Sequence, residues 1–275
     1  FGGIDDTTSP EEGINSEKVI SDLRKLREDE TIKAVVLRVN SPGGSAYGSE
    51  QIWREVVLLK GEKPVIVSMG DYAASGGYYI SCAADSIVAD PTTLTGSIGI
   101  FGMFPNMEGL LTDKLGLHFG MVKTNQFADM GNTTRAFNTE EKAAMQNYIN
   151  NGYRLFVRRC AEGRGMSTEA IEKIAEGRVW TGATAKELGL VDELGGLDKA
   201  LEIAAEKAGV DTYSIVNYPS KSGIFSSLLD EGKDDYINGK MVDALGESYH
   251  YIQLVENLKK MDRIQARMPL DLRIR

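Results

Sequence analysis

Three glycine-rich turns carry the residues of this chain best suited to acyl chemistry: Ser41-Pro42-Gly43-Gly44, Ala73-Ala74-Ser75-Gly76-Gly77 and Thr95-Gly96-Ser97-Ile98-Gly99. Backbone amides of small residues in such turns can aim at one oxyanion, and glycine leaves no Cβ in the path of a substrate carbonyl. Ser75 is the hydroxyl of interest. It stands between a strand pattern and a helix pattern, flanked by Ala74 and Gly76. That is the mechanical situation of a nucleophile elbow, in which the next amide, here from Gly76, faces the oxyanion. Ala73 holds the place of the first glycine of a GxSxG motif. An isolated serine in such a turn is more often a helix cap, so the motif does not decide by itself.

A serine nucleophile needs a proton acceptor. The two histidines, His118 and His250, have no neighbouring partner pattern, which speaks against a Ser-His-Asp triad. The other available base is a lysine whose amine is kept neutral by burial. Lys123, downstream of the glycine turns, is the candidate, and a solvated surface lysine is its alternative reading. Asp71, Asp85 and Asp90 fall at no metal-ligand or paired-carboxylate spacing. Cys82 and Cys160 sit in apolar stretches outside any zinc spacing and read as buried free thiols, with a disulfide between them left open. There is no phosphate-cradling GxxxxGK[ST] or GxGxxG. No metal and no cofactor is expected.

The turns need a scaffold that brings them together. Ala34-Val35-Val36-Leu37-Arg38-Val39, Pro64-Val65-Ile66-Val67-Ser68-Met69 and Ser86-Ile87-Val88-Ala89 read as buried strands, each close before a glycine-rich turn. Helical patterns separate them: one capped by Ser16 through Val19, Ile20, Leu23 and Leu26, one through Ile52, Trp53, Val56, Val57 and Leu59, and one from Tyr78 to Ala84. Alternation of this kind predicts an α/β fold with a mainly parallel sheet, whose sites lie beyond the carboxyl ends of the strands. Asn138 with Glu141 predicts a capping box and a long helix to about Arg159. Ser167 caps the next helix, and Gly189 and Gly195-Gly196 punctuate later ones. After Ser220 the pattern weakens to one amphipathic helix around Val255, Leu258 and Met261, then an irregular tail.

A net charge of -9 argues against nucleic acid as a partner. No stretch approaches the roughly 18 apolar residues needed to cross a bilayer. The chain begins at Phe1 rather than Met, in what reads as the end of a strand, so an upstream part is expected to be missing.

Several strings together resemble the signal peptide peptidase A (protease IV) family: Val39-Asn40-Ser41-Pro42-Gly43-Gly44, Met69 to Ile80, Leu94 to Gly99, Ile174 to Gly182, and Gly189-Leu190-Val191-Asp192. The resemblance covers residues 1–210 and leaves 211–275 as a helical or irregular extension. It implies a Clp-protease/crotonase-like fold, an S49-type peptidase domain and a Ser/Lys dyad. It implies Ser75 as nucleophile, Ser97 as the hydroxyl that orients the lysine, and Gly76 with Gly43 or Gly44, Gly44 by preference, as oxyanion amides. Short members carry the base in a Val-Lys-Ser-Gly-x-x-Lys-Asp pattern. Here Val122-Lys123-Thr124-Asn125-Gln126-Phe127-Ala128-Asp129 puts Ala128 in the lysine's place. Long members have two homologous halves, the first giving the lysine and the second the serine.

This chain resembles the second half, so the lysine is expected from an upstream half and the chain alone is expected to be inactive. The family further implies apolar remnant signal peptides as substrates and a homo-oligomer, expected as a tetramer. It also implies a membrane-anchored full-length protein on the extracytoplasmic side of a bacterial inner membrane. Two alternatives remain at this point: a crotonase-like acyl-CoA enzyme, and a non-catalytic or assembly domain of the same fold.

Overall fold

In the computed structural model, which describes residues 2–5, 13–218 and 264–267, a short opening section comprises β1 (Ile4–Asp5), β2 (Ile14–Asn15) and α1 (Ser16–Glu28). The strand–helix alternation follows as β3 (Val35–Ser41), β4 (Gly43–Ser45), α2 (Ala46–Lys60), β5 (Val65–Ala74), α3 (Gly76–Ser81), β6 (Ser86–Ala89), β7 (Leu94–Gly96) and β8 (Phe101–Gly102). A π-helical turn at Gly109–Lys114 leads to α4 (Thr139–Arg164), α5 (Thr168–Ile174), β9 (Val179–Thr181), α6 (Gly182–Glu187), β10 (Glu193–Leu194), α7 (Leu197–Ala208) and β11 (Ile264–Arg267).

β5 is the spine. β3 lies parallel along one edge, while β6 and β7 share the other, β6 beside Ile66–Ser68 and β7 beside Tyr72–Ala74. Val65, Ile66, Val67 and Met69 are all buried because both faces of the sheet are covered, which is why Val65–Val67 reads as a run of consecutive apolar residues rather than an alternation. Val65, Val67 and Met69 join the main core with Ile52, Val56 and Tyr78. Ile66, on the opposite face, packs with Val88, Ala200 and Ala204. β10 extends the sheet parallel to β6, and β9 closes it antiparallel to β7. A second, smaller sheet runs β2-β1-β4-β11-β8, with β11 antiparallel to both of its neighbours.

The expected mainly parallel α/β arrangement is therefore present, with local differences. α1 is capped by Asn15, whose side chain accepts from the Lys18 amide, and Ser16 is buried as the first helical residue. Asn one residue earlier wins because its carboxamide reaches the third amide of the helix. β5 does not stop at Met69. It continues through the small residues to Ala74, because Asn40 and Thr93 supply partners along the way: the Tyr72 amide donates to Asn40 Oδ1 at 3.3 Å and Thr93 Oγ1 donates to the Gly70 carbonyl at 2.7 Å. The Asn138–Glu141 capping box is present, but α4 runs on to Arg164 and ends where Gly165 turns left-handed. Ser167 caps α5 as expected. Cys82 and Cys160 are buried and free. The helix expected around Val255, Leu258 and Met261 lies outside the described residues, and the tail read as irregular contains the strand β11. Among the described residues no helix is long and apolar enough to cross a membrane.

Candidate active site

Ser75 sits where β5 ends and α3 begins, at φ 54° and ψ −113°. Few side-chain-bearing residues adopt such a corner, and it holds only where the surroundings fix it. Here the Ser75 amide donates to the Gly96 carbonyl at 2.8 Å and its carbonyl accepts from the Tyr79 amide at 2.8 Å. α3 itself is pinned by two phenols. The Tyr78 hydroxyl donates to the Leu190 carbonyl at 2.9 Å, and the Tyr79 hydroxyl donates to Glu50 at 2.6 Å. Burial and the Glu50 carboxylate push the Tyr79 phenol far above its usual range, so it stays a donor. Ser75 makes no capping bond to the helix it precedes, and its Oγ is buried without a partner. The helix-cap reading of this serine therefore fails: the hydroxyl is free of the structural task that such a residue ordinarily performs.

The three glycine turns converge on this corner. A Cβ built on Gly76 would lie 3.1 Å from the Gly43 Cα and 2.6 Å from Ser49 Oγ, and one on Gly77 would lie 2.7 Å from the Ser41 carbonyl oxygen. The first and second turns thus touch backbone to backbone, which only glycine allows. Gly43 has φ 101° and its amide donates to Ser41 Oγ at 3.1 Å. Gly44 is clasped between β1 and β11, paired with Ile4 and Ala266. A Cβ there would fall 2.0 Å from the Ile4 carbonyl oxygen. Gly76 and Gly77, as the first residues of α3, have no carbonyl one turn back to accept their amides. The third turn joins through the ladder, Thr95 beside Ala73 and Gly96 beside Ala74. Ser97 follows at φ 49°, buried, its amide donating to the Arg178 carbonyl at 2.7 Å.

Of the candidate bases, His118 is exposed, and His250 lies outside the described residues. Lys123 Nζ is ion-paired with Asp129 at 2.7 Å. The Arg135 and Lys123 cations hold the Asp129 carboxyl far below its usual range, so it presents a full negative charge to that amine. Ala128 occupies an exposed turn next to this pair, its amide donating to the Asn125 carbonyl at 3.4 Å. Ala128 has no amine to offer, and the Lys123 amine is engaged by Asp129.

Sequence reasoning missed the supports. Asn40 and Ser41 read only as turn formers, yet Asn40 holds the Tyr72 amide and Ser41 holds the Gly43 amide. The distant strings also find their physical role. Gly177 donates to the Ile98 carbonyl at 3.0 Å, and the Trp180 indole abuts Gly96 while donating to the Ile174 carbonyl at 3.0 Å. Asp192 accepts from the Ile87 amide and from Arg164. Their spacing in sequence gave no signal for this, because each acts by packing from another part of the chain.

The profile of peptidase family S49 matches residues 58–211, more than half of the chain and including Ser75 and Ser97. This chain belongs to peptidase family S49. A Clp protease profile matches residues 8–91. The S49 chain is 43% identical over 230 residues to Protease 4 of Salmonella typhi, covering 83% of this chain and 37% of that protein. It is 46% identical over 209 residues to Protease 4 of Haemophilus influenzae, covering 74% and 33%. It is 36% identical over 262 residues to the chloroplastic serine protease SPPA of Arabidopsis thaliana, covering 95% and 38%. The chain thus spans a little over a third of the length of these relatives. Among solved structures, a mutant ClpP1 from Listeria monocytogenes aligns at TM-score 0.49 and 20% identity, over 73% of this chain and 91% of that one. The expected family and the α/β Clp-like class are both borne out. The family that matches is one of peptidases, not of acyl-CoA enzymes.

Proposed function

We propose that this chain is the serine-bearing part of a longer serine peptidase, with residues 1–210 as its peptidase unit and 211–275 as an extension. The observation that carries the reading is the unpartnered Ser75 Oγ, held on a positive-φ corner against the Gly43–Gly44 turn. In this reading a neutral lysine amine from an upstream part, oriented by Ser97, takes the Ser75 proton as Oγ attacks a peptide carbonyl. The Gly76 and Gly44 amides receive the oxyanion. The lysine then returns its proton to the leaving amine, and water releases the acyl group by the same route. The ion pair of Lys123 with Asp129 and the alanine at position 128 are the reasons for bringing the lysine from outside.

The substrates in this reading are apolar peptides, remnant signal peptides among them, bound in extended form. The full-length protein is membrane-anchored on the extracytoplasmic side of a bacterial inner membrane and assembles as a homo-oligomer, by resemblance a tetramer. Support for assembly comes from the stretch between β8 and α4, where Leu110, Leu115, Phe119 and Val122 are exposed, Val122 at 98%. Apolar surface on this scale is ordinarily covered by another protein surface.

The test is hydrolysis of a fluorogenic apolar peptide by this chain alone and by the complete protein, each with its Ser75→Ala variant as blank, and with a charged peptide of equal length as comparison. The expected result is no turnover by the chain alone and Ser75-dependent turnover by the complete protein, with higher kcat/KM for the apolar peptide. Turnover by the chain alone that vanishes in the blank would place a base within it and overturn the two-part reading. A complete protein without turnover would favour a non-catalytic domain.

A further inference from the structure

The corner at Ser97 is completed by a short strand. β9 has three residues, stands last in the order of its sheet, and its ladder with β7 ends at the pair of Gly96 and Val179. One bond follows past that pair: the Ser97 amide donates to the Arg178 carbonyl at 2.7 Å. The end of so short a ladder opens easily, so a bond placed beyond it needs a support of its own.

The end of α5 is that support. Arg178 Nη1 donates to the Lys173 carbonyl at 2.9 Å and to the Ala175 carbonyl at 3.3 Å, and its Nη2 donates to Glu176 Oε2 at 2.8 Å. The Trp180 indole donates to the Ile174 carbonyl at 3.0 Å. Carbonyls at the end of a helix have no acceptor role within it, and here two side chains take them. Both residues also touch the third glycine turn. Arg178 does so through its own carbonyl, and Trp180 through its ring, whose Cδ1 lies 2.8 Å from the point where a Cβ on Gly96 would stand. The chain reverses between α5 and Arg178 at Glu176 and Gly177, with φ 59° and 76°. The Arg178 amide closes this reversal on the Ala175 carbonyl at 3.3 Å, and the Gly177 amide donates to the Ile98 carbonyl at 3.0 Å. A glutamate at positive φ is uncommon, and backbone held in such a form recurs where a functional group must be fixed.

We propose that Arg178 and Trp180 are positioning residues, which fasten the Gly96–Ser97 corner to the end of α5 so that the Ser97 hydroxyl keeps the lysine aligned. The role of Ser97 comes from the function proposed above; the fastening stands on the hydrogen bonds alone. Both residues act through Gly96 and Ser97, and neither carries the proton. A loosened corner leaves peptide binding intact and spoils the alignment of the base, and a small misplacement of a reacting group is costly in rate.

Hydrogen exchange in the complete protein reads the fastening without relying on catalysis. Arg178→Ala removes the guanidinium and keeps the carbonyl that holds Ser97. Trp180→Phe removes the indole N–H and keeps a ring beside Gly96. In each variant the Ser97 amide should exchange about tenfold faster or more, while those of Val65–Ser68 keep wild-type protection. With a fluorogenic apolar peptide, kcat should fall about tenfold or more and KM should stay within about twofold. In a Ser97→Ala background the same substitutions should cost less than about twofold in kcat, because no hydroxyl is left to position. Unchanged exchange at Ser97, loss of protection at Val65–Ser68 in both variants, a change in KM as large as that in kcat, or the full loss of kcat repeated in the Ser97→Ala background would overturn the proposal. If Ser97 exchanges faster in the variants but the wild-type complete protein cleaves nothing, the fastening stands and the peptidase reading falls.

Discussion

Ser75 and Ser97 leave the same ladder side by side, one residue past the Ala74–Gly96 pair, and both backbones turn there to positive φ, 54° and 49°. The Ser75 amide still reaches back to the Gly96 carbonyl at 2.8 Å, so the two corners are tied to each other directly. In the proposed mechanism this tie fixes the spacing between the attacking hydroxyl and the hydroxyl that orients the lysine.

Strain at Ser75 separates activity from stability. Ser75→Gly removes the Cβ from an unfavourable corner and forfeits no hydrogen bond of the free Oγ. It should abolish turnover in the complete protein while raising stability by about 1 kcal/mol, as seen in urea unfolding. A destabilised glycine variant would mean that the hydroxyl has a structural partner.

Gly76→Ala should lose both. The added methyl would meet Ser49 Oγ at 2.6 Å, the Ala266 carbonyl oxygen at 2.9 Å and the Gly43 Cα at 3.1 Å. Overpacking of this kind costs about 1–3 kcal/mol. Displacing an oxyanion amide costs on the order of a hundredfold in kcat. A variant with wild-type kcat in the complete enzyme would remove Gly76 from the oxyanion site.

Lys123→Met should leave kcat of the complete enzyme within about threefold of wild type, since its amine lies 2.7 Å from the Asp129 carboxylate and the proposed base comes from another part of the protein. A collapse of kcat comparable to that of Ser75→Ala would make Lys123 the base after all.

Acid should loosen the start of α4 before the rest of the chain. The Arg135 guanidinium and the Asn138 amide hold the buried Glu141 carboxyl down to about 2, against an ordinary value of 4.5. A carboxyl depressed in the folded state contributes stability above its unfolded pKa and loses it as pH falls through the folded one. Glu141→Gln should therefore lower Tm markedly at pH 7, with the difference shrinking between about pH 4.5 and pH 2. A difference independent of pH across that window would show that the ion pair with Arg135 is not what Glu141 contributes.

The sequence by itself determined the elements and the residues of the corner. Consecutive apolar residues at Val65–Val67 and Ile87–Ala89 specify strands buried on both faces, and the glycines at 43, 44, 76, 77 and 96 mark where backbones must approach closely. Ser75 could be singled out because a strand pattern, a helix pattern and small neighbours meet at one hydroxyl. Tertiary structure decided what those residues do for one another. It freed Ser75 Oγ from capping, tied Ser97 to the Arg178 carbonyl, and consumed Lys123 in an ion pair with Asp129. It also laid Ile264–Arg267, which carries no periodicity to speak of, between β4 and β8. Strand pairing explains the difference: a ladder is made by backbone groups that every residue has, so a four-residue strand placed by partners more than 160 positions away leaves almost no mark in its own side chains.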